Sequence, residues 1–403
     1  MTDHGHRRLL RPRRERPRGG RAAEQRDELA PFLIDRIAFG PRQPGPVCRI
    51  SNWRGAVSGY TRLFTLGRGP GRRSRFARDV PSPLNSTRFV NGLCCRDHAD
   101  RPALALAESL EAMARVLLEP GDRSHIDFSR PVGEAALLSP ESVSWRVFKN
   151  PLSLFIGGLT AVIMELAEPR VRTGLWEHTT FRLDPIRRLR RTGLAAMVTI
   201  YGARSTAEPM IARIRRMHEM VAGTTASGEA YRANDSELLN WVHGTAAYGF
   251  LQAYHMYVQP LSSSERDRYY AEGVPAASLY GATGAPTSEV ELEMLFHAMA
   301  GRLERSDIVF EFLTIMRSAA ILPLLLRPAQ DLLVRAGVDL TPNWVRTILG
   351  LNGHGLHPWE AEVIRQAGAF ADRVVLASNP AVQACGRMRL PAEYLYVHRS
   401  AVA

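Results

Sequence analysis

Residues 165–223 read ELAEPRVRTGLWEHTTFRLDPIRRLRRTGLAAMVTIYGARSTAEPMIARIRRMHEMVAG, and residues 231–260 read YRANDSELLNWVHGTAAYGFLQAYHMYVQP. Apolar side chains recur in both segments at helical spacing, and no run shows the strict alternation of a half-buried strand. Both segments are therefore predicted to be helical. They also contain four of the histidines of the chain: His178, His218, His243 and His255.

The first well-marked helix is predicted over residues 187–201. It follows Asp184 and Pro185, and an aspartate at the N-cap with a proline in the first turn is a common way for a helix to begin. Four arginines cluster in its first turns, followed by a threonine: Arg187, Arg188, Arg190, Arg191 and Thr192.

A second helix is predicted over Met210–Ala222. Ser205 and Glu208 have the spacing of a capping box ahead of it, and Gly223 stands where a helix often ends in a glycine. His218 falls on the predicted buried face. That face is formed by Ile211, Ile214, His218 and Val221.

A third helix is predicted from Asp235 to Val258, with Pro260 stopping it. Its small residues would allow another helix or a flat ligand to approach closely; they are Gly244, Ala246, Ala247 and Gly249. A capping box is predicted again at Ser262 and Glu265, at the start of the next helix.

The remaining apolar patterns predict further helices over 102–118, 152–167, 288–303, 307–326, 328–336, 341–350 and 358–373. Pro169 either ends the second of these or opens another helix. Residues 101–403 are therefore predicted to form one large all-α domain without internal repeats. The apolar stretches at 152–166 and 308–326 are too short or too interrupted by charges and proline to predict a membrane span.

Basic charge is confined to the first quarter of the chain. Residues 1–100 contain 21 arginines and 9 acidic residues, whereas residues 101–403 contain 31 basic and 31 acidic residues. The first hundred residues are also rich in Pro and Gly, so this irregular segment is predicted to be largely disordered. Because the remainder is neutral, nucleic acid is an unlikely partner.

Cysteine usage and the first residues predict a cytoplasmic protein. The four cysteines, Cys48, Cys94, Cys95 and Cys385, show neither a C-x-x-C pair nor metal-ligand spacing, and the adjacent Cys94 and Cys95 cannot easily form a disulfide with each other. A reduced compartment is the simplest interpretation. The early arginines are not followed by the apolar run of about 7–15 residues that an export signal requires.

Several enzyme classes lack their motifs here. The sequence contains no P-loop, no GxGxxG after a strand, no GxSxG, no HExxH and no paired Glu-x-x-His. For a helical protein with histidines on buried faces, the lack of these motifs favours haem as the cofactor. Haem needs an imidazole on an apolar wall and cations for its propionates. His218 or His243 fits the first need and Arg188, Arg190 or Arg191 the second, although each also fits an ordinary core histidine or a solvated arginine.

The order of these motifs resembles the catalytic domain of the rubber oxygenase/MpaB-type oxygenase family. The resemblance covers about residues 145–390. It is carried by Asp184-Pro185, Arg188-Leu189-Arg190-Arg191-Thr192, His218-x-x-Val221-x-Gly223, Leu239-x-Trp241-Val242-His243, Pro260-Leu261-Ser262 and Tyr269-Tyr270.

The resemblance implies a helical fold with a globin-like core and extra helices, haem b, and oxidation by O2. It implies that His218 ligates the iron. It also implies that Arg188, Arg191 and Thr192, which match the Arg-x-x-Lys-Thr cluster of rubber oxygenases, are catalytic residues. His243 is the second candidate for cofactor binding. The expected activity is oxidation of a hydrophobic small molecule, terpenoid- or polyketide-like, with oxidative C=C cleavage as one form; the alternative is a haem- or lipophile-binding protein without turnover.

Two positions depart from the family pattern. Arg191 stands where rubber oxygenases have a lysine that ligates iron, and a guanidinium stays protonated. Glu168 stands where the family often has the histidine of Ala-His-Pro. It is interpreted either as a distal acid or base or as a surface substitution.

Overall fold

A computed structural model describes residues 126–322 and 327–396. Over these residues the protein is all-α apart from one short hairpin, as the sequence predicts. The predictions for residues 1–100 and for a helix over 102–118 lie outside the described residues. The elements in chain order are α1 (Val143–Phe148), α2 (Pro151–Glu165), α3 (Pro169–Glu177), α4 (Pro185–Tyr201), α5 (Arg204–His218), β1 (Ala222–Thr224), β2 (Ala230–Arg232), α6 (Ser236–Tyr257), α7 (Ser263–Tyr280), α8 (Glu289–Ala300), α9 (Asp307–Ser318), α10 (Arg327–Leu340), α11 (Asn343–Leu349), α12 (Pro358–Ala371) and α13 (Pro380–Arg387).

Helices α2 and α6 form the centre of the fold and pack against each other more extensively than any other described pair. Two glycines allow this close approach. A Cβ atom at Gly157 would lie 2.6 Å from the carbonyl oxygen of Gly249, and one at Gly249 would lie 3.1 Å from the amide nitrogen of Ala161. The helices therefore meet backbone to backbone, which confirms that the small residues of α6 admit a neighbouring helix.

Helix α2 is buried on nearly all sides, as its apolar sequence predicts. Asn150 caps it, because its side-chain oxygen accepts hydrogen bonds from the amides of Leu152 and Ser153 at 3.1 and 3.2 Å. Pro169 opens α3 rather than ending α2. No described helix is by itself long and apolar enough to span a membrane; α2 and α3 together meet that length and composition, with a bend of 113° between them.

Two predicted helix starts are confirmed. The side chain of Asp184 accepts a hydrogen bond from the amide of Arg187 at 3.1 Å and caps α4. Ser262 and Glu265 form the capping box of α7: the Ser262 amide donates to the Glu265 carboxylate at 2.9 Å and the Glu265 amide to the Ser262 hydroxyl at 3.3 Å. Local sequence alone specifies these two caps.

The predicted capping box of α5 is wrong. The helix begins at Arg204, so Pro209 lies inside it, and Ala203 at the N-cap offers no side-chain bond. The amide and hydroxyl of Ser205 instead donate to the carboxylate of Glu134, at 2.6 and 2.9 Å. A carboxylate that is distant in sequence thus takes the place of the local cap.

The predicted end of α5 is also wrong. The helix stops at His218, and Gly223 pairs with Tyr231 in the β1–β2 hairpin instead of closing a helix. The glycine is needed there because a Cβ atom would lie 2.7 Å from the Tyr231 hydroxyl. The strands have three residues each, too few for an alternating pattern to reveal them.

Arg387, on α13, connects the start of the described chain to the end of α4 by hydrogen bonds. Its side chain is fully buried and donates to three backbone carbonyls: Glu134 at 2.9 Å, Phe128 at 2.7 Å and Tyr201 at 2.7 Å. Each of these is a charge-assisted hydrogen bond, so one side chain satisfies three carbonyls from two distant segments.

Lys149 forms a second buried link between distant segments. It connects the α1–α2 connection to the end of α12. Its ammonium lies 2.8 Å from the carboxylate of Asp372 and also donates to the carbonyl of that residue at 2.9 Å. Burial lowers the pKa of Lys149, and the charge of Asp372 acts in the opposite direction.

Candidate functional site

A large apolar cavity lies beside the central helix pair. Its volume is about 330 Å³, within the range typical of ligand sites. Helices α2, α4, α6 and α7 form most of its wall, and the end of α5 and the β1–β2 hairpin contribute to it. A few polar side chains lie among the apolar ones: Ser144, Glu165, Arg170, Arg188, Thr192, Thr199, His218, Tyr231, His243, Tyr269, Tyr270 and Tyr280.

Both candidate histidines line this cavity. His218 is the last residue of α5 and only 5% exposed, which confirms its predicted position on the buried face. His243 lies on α6, and burial lowers its pKa to about 4, so that its imidazole is neutral at pH 7. A neutral imidazole is the form that ligates a metal.

Arg188 and Thr192 line the same cavity from α4, one helical turn apart. The Arg188 guanidinium donates to the Thr192 hydroxyl, which itself donates to the backbone carbonyl of Arg188 at 3.0 Å. Burial lowers the pKa of Arg188 to about 10, against the opposing effect of Glu165. The guanidinium therefore stays charged at neutral pH and supplies a cation to an apolar space.

Glu165 also lines the cavity, although no sequence motif marks it as a site residue. It ends α2 with only 6% of its surface exposed. Burial raises its pKa to about 7, and the charge of Arg188 only partly offsets that effect. The one feature of the sequence that marks Glu165 is its position as the acidic residue at the end of an otherwise apolar helix.

Glu165 makes stability depend on pH. Because its folded pKa is raised, the native state keeps a proton that the unfolded chain loses above about pH 4.5, so stability falls as the pH rises towards 7. Glu165→Gln is expected to match the wild type near pH 4.5 and to exceed it by about 2–3 kcal/mol at pH 8. Urea denaturation across this range measures the difference.

The control for this titration is Glu219→Gln, which neutralises an exposed carboxylate at the C-cap of α5. It is expected to give a pH–stability curve close to that of the wild type. Parallel curves for Glu165→Gln and the wild type would refute a buried carboxylate that titrates near neutrality.

Glu168 and Arg191 lie away from the cavity wall. Glu168 is fully buried, so its interpretation as a surface substitution is wrong. Its carboxylate caps α3 by accepting from the amide of Val171 at 2.8 Å, and it pairs with the Nε of Arg170 at 2.6 Å. Arg191 is buried beside Arg188, whose pKa its charge helps to lower.

The cavity brings together the chemistry that a haem requires. Neutral imidazole, a buried guanidinium and apolar walls all face one space, and these are groups that bind iron, propionates and a porphyrin ring respectively. Within residues 126–322 and 327–396 no group of three His, Cys, Asp or Glu side chains is arranged to hold a bare metal ion. His218 or His243 would hold the iron of a haem in this cavity, and Arg188 would pair with a propionate.

Comparison with known proteins identifies one family. The model of the family described as ER-bound oxygenase mpaB/B′/rubber oxygenase, catalytic domain, matches residues 145–375. The matched region runs from α1 to the end of α12 and includes every candidate site residue. No curated protein and no solved structure matches the chain significantly.

Proposed function

The chain belongs to the MpaB and rubber oxygenase catalytic-domain family, and on this premise we propose that it is a haem b-dependent oxygenase of hydrophobic small molecules. Terpenoid-like or polyketide-like compounds are the substrates of matching chemistry, and oxidative cleavage of a C=C bond is one reaction that the family resemblance favours. The observation that carries the proposal is the presence of His218 and Arg188 on the wall of one large apolar cavity.

His218 is the residue proposed to ligate the iron. It stands at the end of a helix and lines the cavity, and it is the histidine that matches the family motif. Arg188 is proposed to balance the charge of a propionate, because its guanidinium lines the cavity and stays charged at neutral pH. A bound haem would supply the redox-active iron that chemistry with O2 requires.

The other cavity residues prepare the site for proton transfer. With a pKa of about 7, a carboxyl oxygen of Glu165 can hold or release a proton at neutral pH, as general acid–base catalysis requires. The hydrogen bonds between Arg188 and Thr192 fix the direction of the Thr192 hydroxyl. Apolar walls limit the access of water, which strengthens these electrostatic interactions.

The absorption spectrum of the purified protein tests haem binding. The wild type is expected to show a Soret band with about one haem per chain. His218→Ala removes the proposed ligand and is expected to lower haem content at least about tenfold or to shift the band strongly. Iron analysis and pyridine-haemochrome titration measure the content.

His243→Ala is the matched control, since it removes an imidazole from the same cavity. It is expected to keep the haem content of the wild type. Unchanged haem content and spectrum in His218→Ala, or loss of the band only in His243→Ala, would contradict the assignment of the ligand to His218.

Oxygen consumption tests the activity itself. The haem-loaded protein is expected to consume O2 with unsaturated apolar compounds and, where a C=C bond is cleaved, to form two carbonyl products that mass spectrometry detects. Stable haem with no O2 consumption across terpenoid and polyene substrates would instead support a binding protein without turnover.

A further inference from the structure

His243 faces an open part of the cavity that a glycine creates. A Cβ atom at Gly273, on α7, would lie 3.7 Å from Nε2 and 3.8 Å from Cε1 of the His243 ring. Both residues line the cavity. Any side chain larger than hydrogen at position 273 would therefore occupy space in front of this imidazole.

The His243 imidazole forms no hydrogen bond with any residue in the described ranges 126–322 and 327–396. Burial is the cause that lowers the pKa of His243, so its imidazole is neutral at pH 7. A neutral imidazole carries one N–H donor and one acceptor nitrogen. The side chain is only partly buried, so its ring can form a hydrogen bond with a molecule that enters the cavity.

Several other polar groups on the cavity wall already have partners, whereas the buried Tyr270 hydroxyl has none among the described residues. The Thr192 hydroxyl bonds to Arg188, and the Thr199 hydroxyl lies 2.9 Å from the Tyr280 hydroxyl while donating to the carbonyl of Ala195. Glu165 and Arg188 carry charge that suits proton transfer and anions. His243 thus offers a neutral hydrogen-bonding position on the wall, and the Tyr270 hydroxyl offers another.

We propose that His243 and the space at Gly273 form a subsite that binds an oxygen function, a hydroxyl or a carbonyl, of an otherwise hydrophobic substrate. The substrate is then an amphiphile held in a fixed direction: its oxygen bonds to the imidazole and its hydrocarbon part fills the apolar cavity. The proposal rests on the proposed function only in taking this cavity as the substrate site.

Ligand affinities of the full-length purified protein test the subsite. The probes are farnesol, farnesyl methyl ether and farnesene, which share a hydrocarbon chain and carry a hydroxyl, an ether oxygen and no oxygen. Each displaces the neutral fluorophore N-phenyl-1-naphthylamine. The wild type is expected to bind farnesol about tenfold more tightly than farnesene, the ratio expected for one buried hydrogen bond. The methyl ether, which only accepts, shows whether the imidazole donates.

Two variants are expected to lose this preference. His243→Phe keeps an aromatic ring without nitrogen and should bind all three probes within about twofold of one another, with farnesene affinity close to that of the wild type. Gly273→Ala places a methyl group against Nε2 and should do the same. Gly158→Ala is the control, because its new Cβ meets only the Phe250 ring, at 3.8 Å, and it should affect the three probes alike.

The proposal is overturned if the wild type binds farnesol and farnesene equally, or if His243→Phe keeps the wild-type preference. It is also overturned if His243→Phe loses a Soret band that the wild type shows, because His243 would then hold the haem. Absence of the band from the wild type, with the alcohol preference intact, would defeat the haem assignment and leave the subsite standing.

Discussion

Gly249→Ala is expected to destabilise the protein by about 3 kcal/mol or more, although it adds a single methyl group. The new Cβ would lie against the backbone of α2, where it would be 3.1 Å from the amide nitrogen of Ala161 and closer still to the carbonyl oxygen of Gly157. Backbone atoms cannot rotate away as side chains do, so the two central helices would have to separate. The resulting loss of contact exceeds the gain in helix propensity of about 1 kcal/mol that alanine brings.

Urea denaturation measures this effect as a shift of the midpoint, and thermal unfolding as a fall of about 6–12 °C in Tm. Gly158→Ala is the matched control: it makes the same substitution in α2, next to Gly157, where the new Cβ has only a distant contact with an aromatic ring. It is expected to change stability by less than about 1 kcal/mol. Equal stability of the two variants would show that the helix crossing tolerates a wider spacing.

Arg387→Met is expected to destabilise the protein by about 3–6 kcal/mol. Methionine keeps much of the length of the side chain but donates no hydrogen bond, so the carbonyls of Phe128, Glu134 and Tyr201 lose a charged donor together. The cost follows from three acceptors in a water-poor environment, each worth about 1–3 kcal/mol when left without a partner.

Arg373→Met is the control for the lost charge, because Arg373 is exposed at the end of α12. It is expected to be within about 0.5 kcal/mol of the wild type. Hydrogen exchange adds a local readout: amides of residues 128–136 should exchange faster in Arg387→Met than in the wild type. Stability like that of Arg373→Met would mean that water or another side chain replaces the guanidinium.

The sequence predicts those parts of the fold that local interactions determine. Helix α4 begins after Asp184 and α7 after Ser262 because each cap bonds to amides within three residues. The start of α5 is not predictable in this way, since its cap comes from Glu134. The hairpin is not predictable from local sequence, because its pairing depends on the Tyr231 side chain packing against Gly223.

The residues of the candidate site likewise differ in whether local sequence predicts them. His218 and Arg188 are predictable because helical periodicity and a family motif mark them, and both line the cavity. Glu165 and Gly273 carry no such mark; their roles arise from burial against other helices and from space opposite His243. Glu168 shows what a family position alone does not reveal: its carboxylate oxygens cap α3 and pair with Arg170.

Lys149 is the single lysine of the chain, and it is 3% exposed in its ion pair with Asp372. Every other basic side chain apart from histidine is an arginine. Amine-directed reagents, such as succinimidyl esters or acetylating agents, therefore find no lysine side chain on the folded surface. Acylation of Lys149 therefore reports local separation of the start of α2 from the end of α12. Other lysines contribute no background to this measurement.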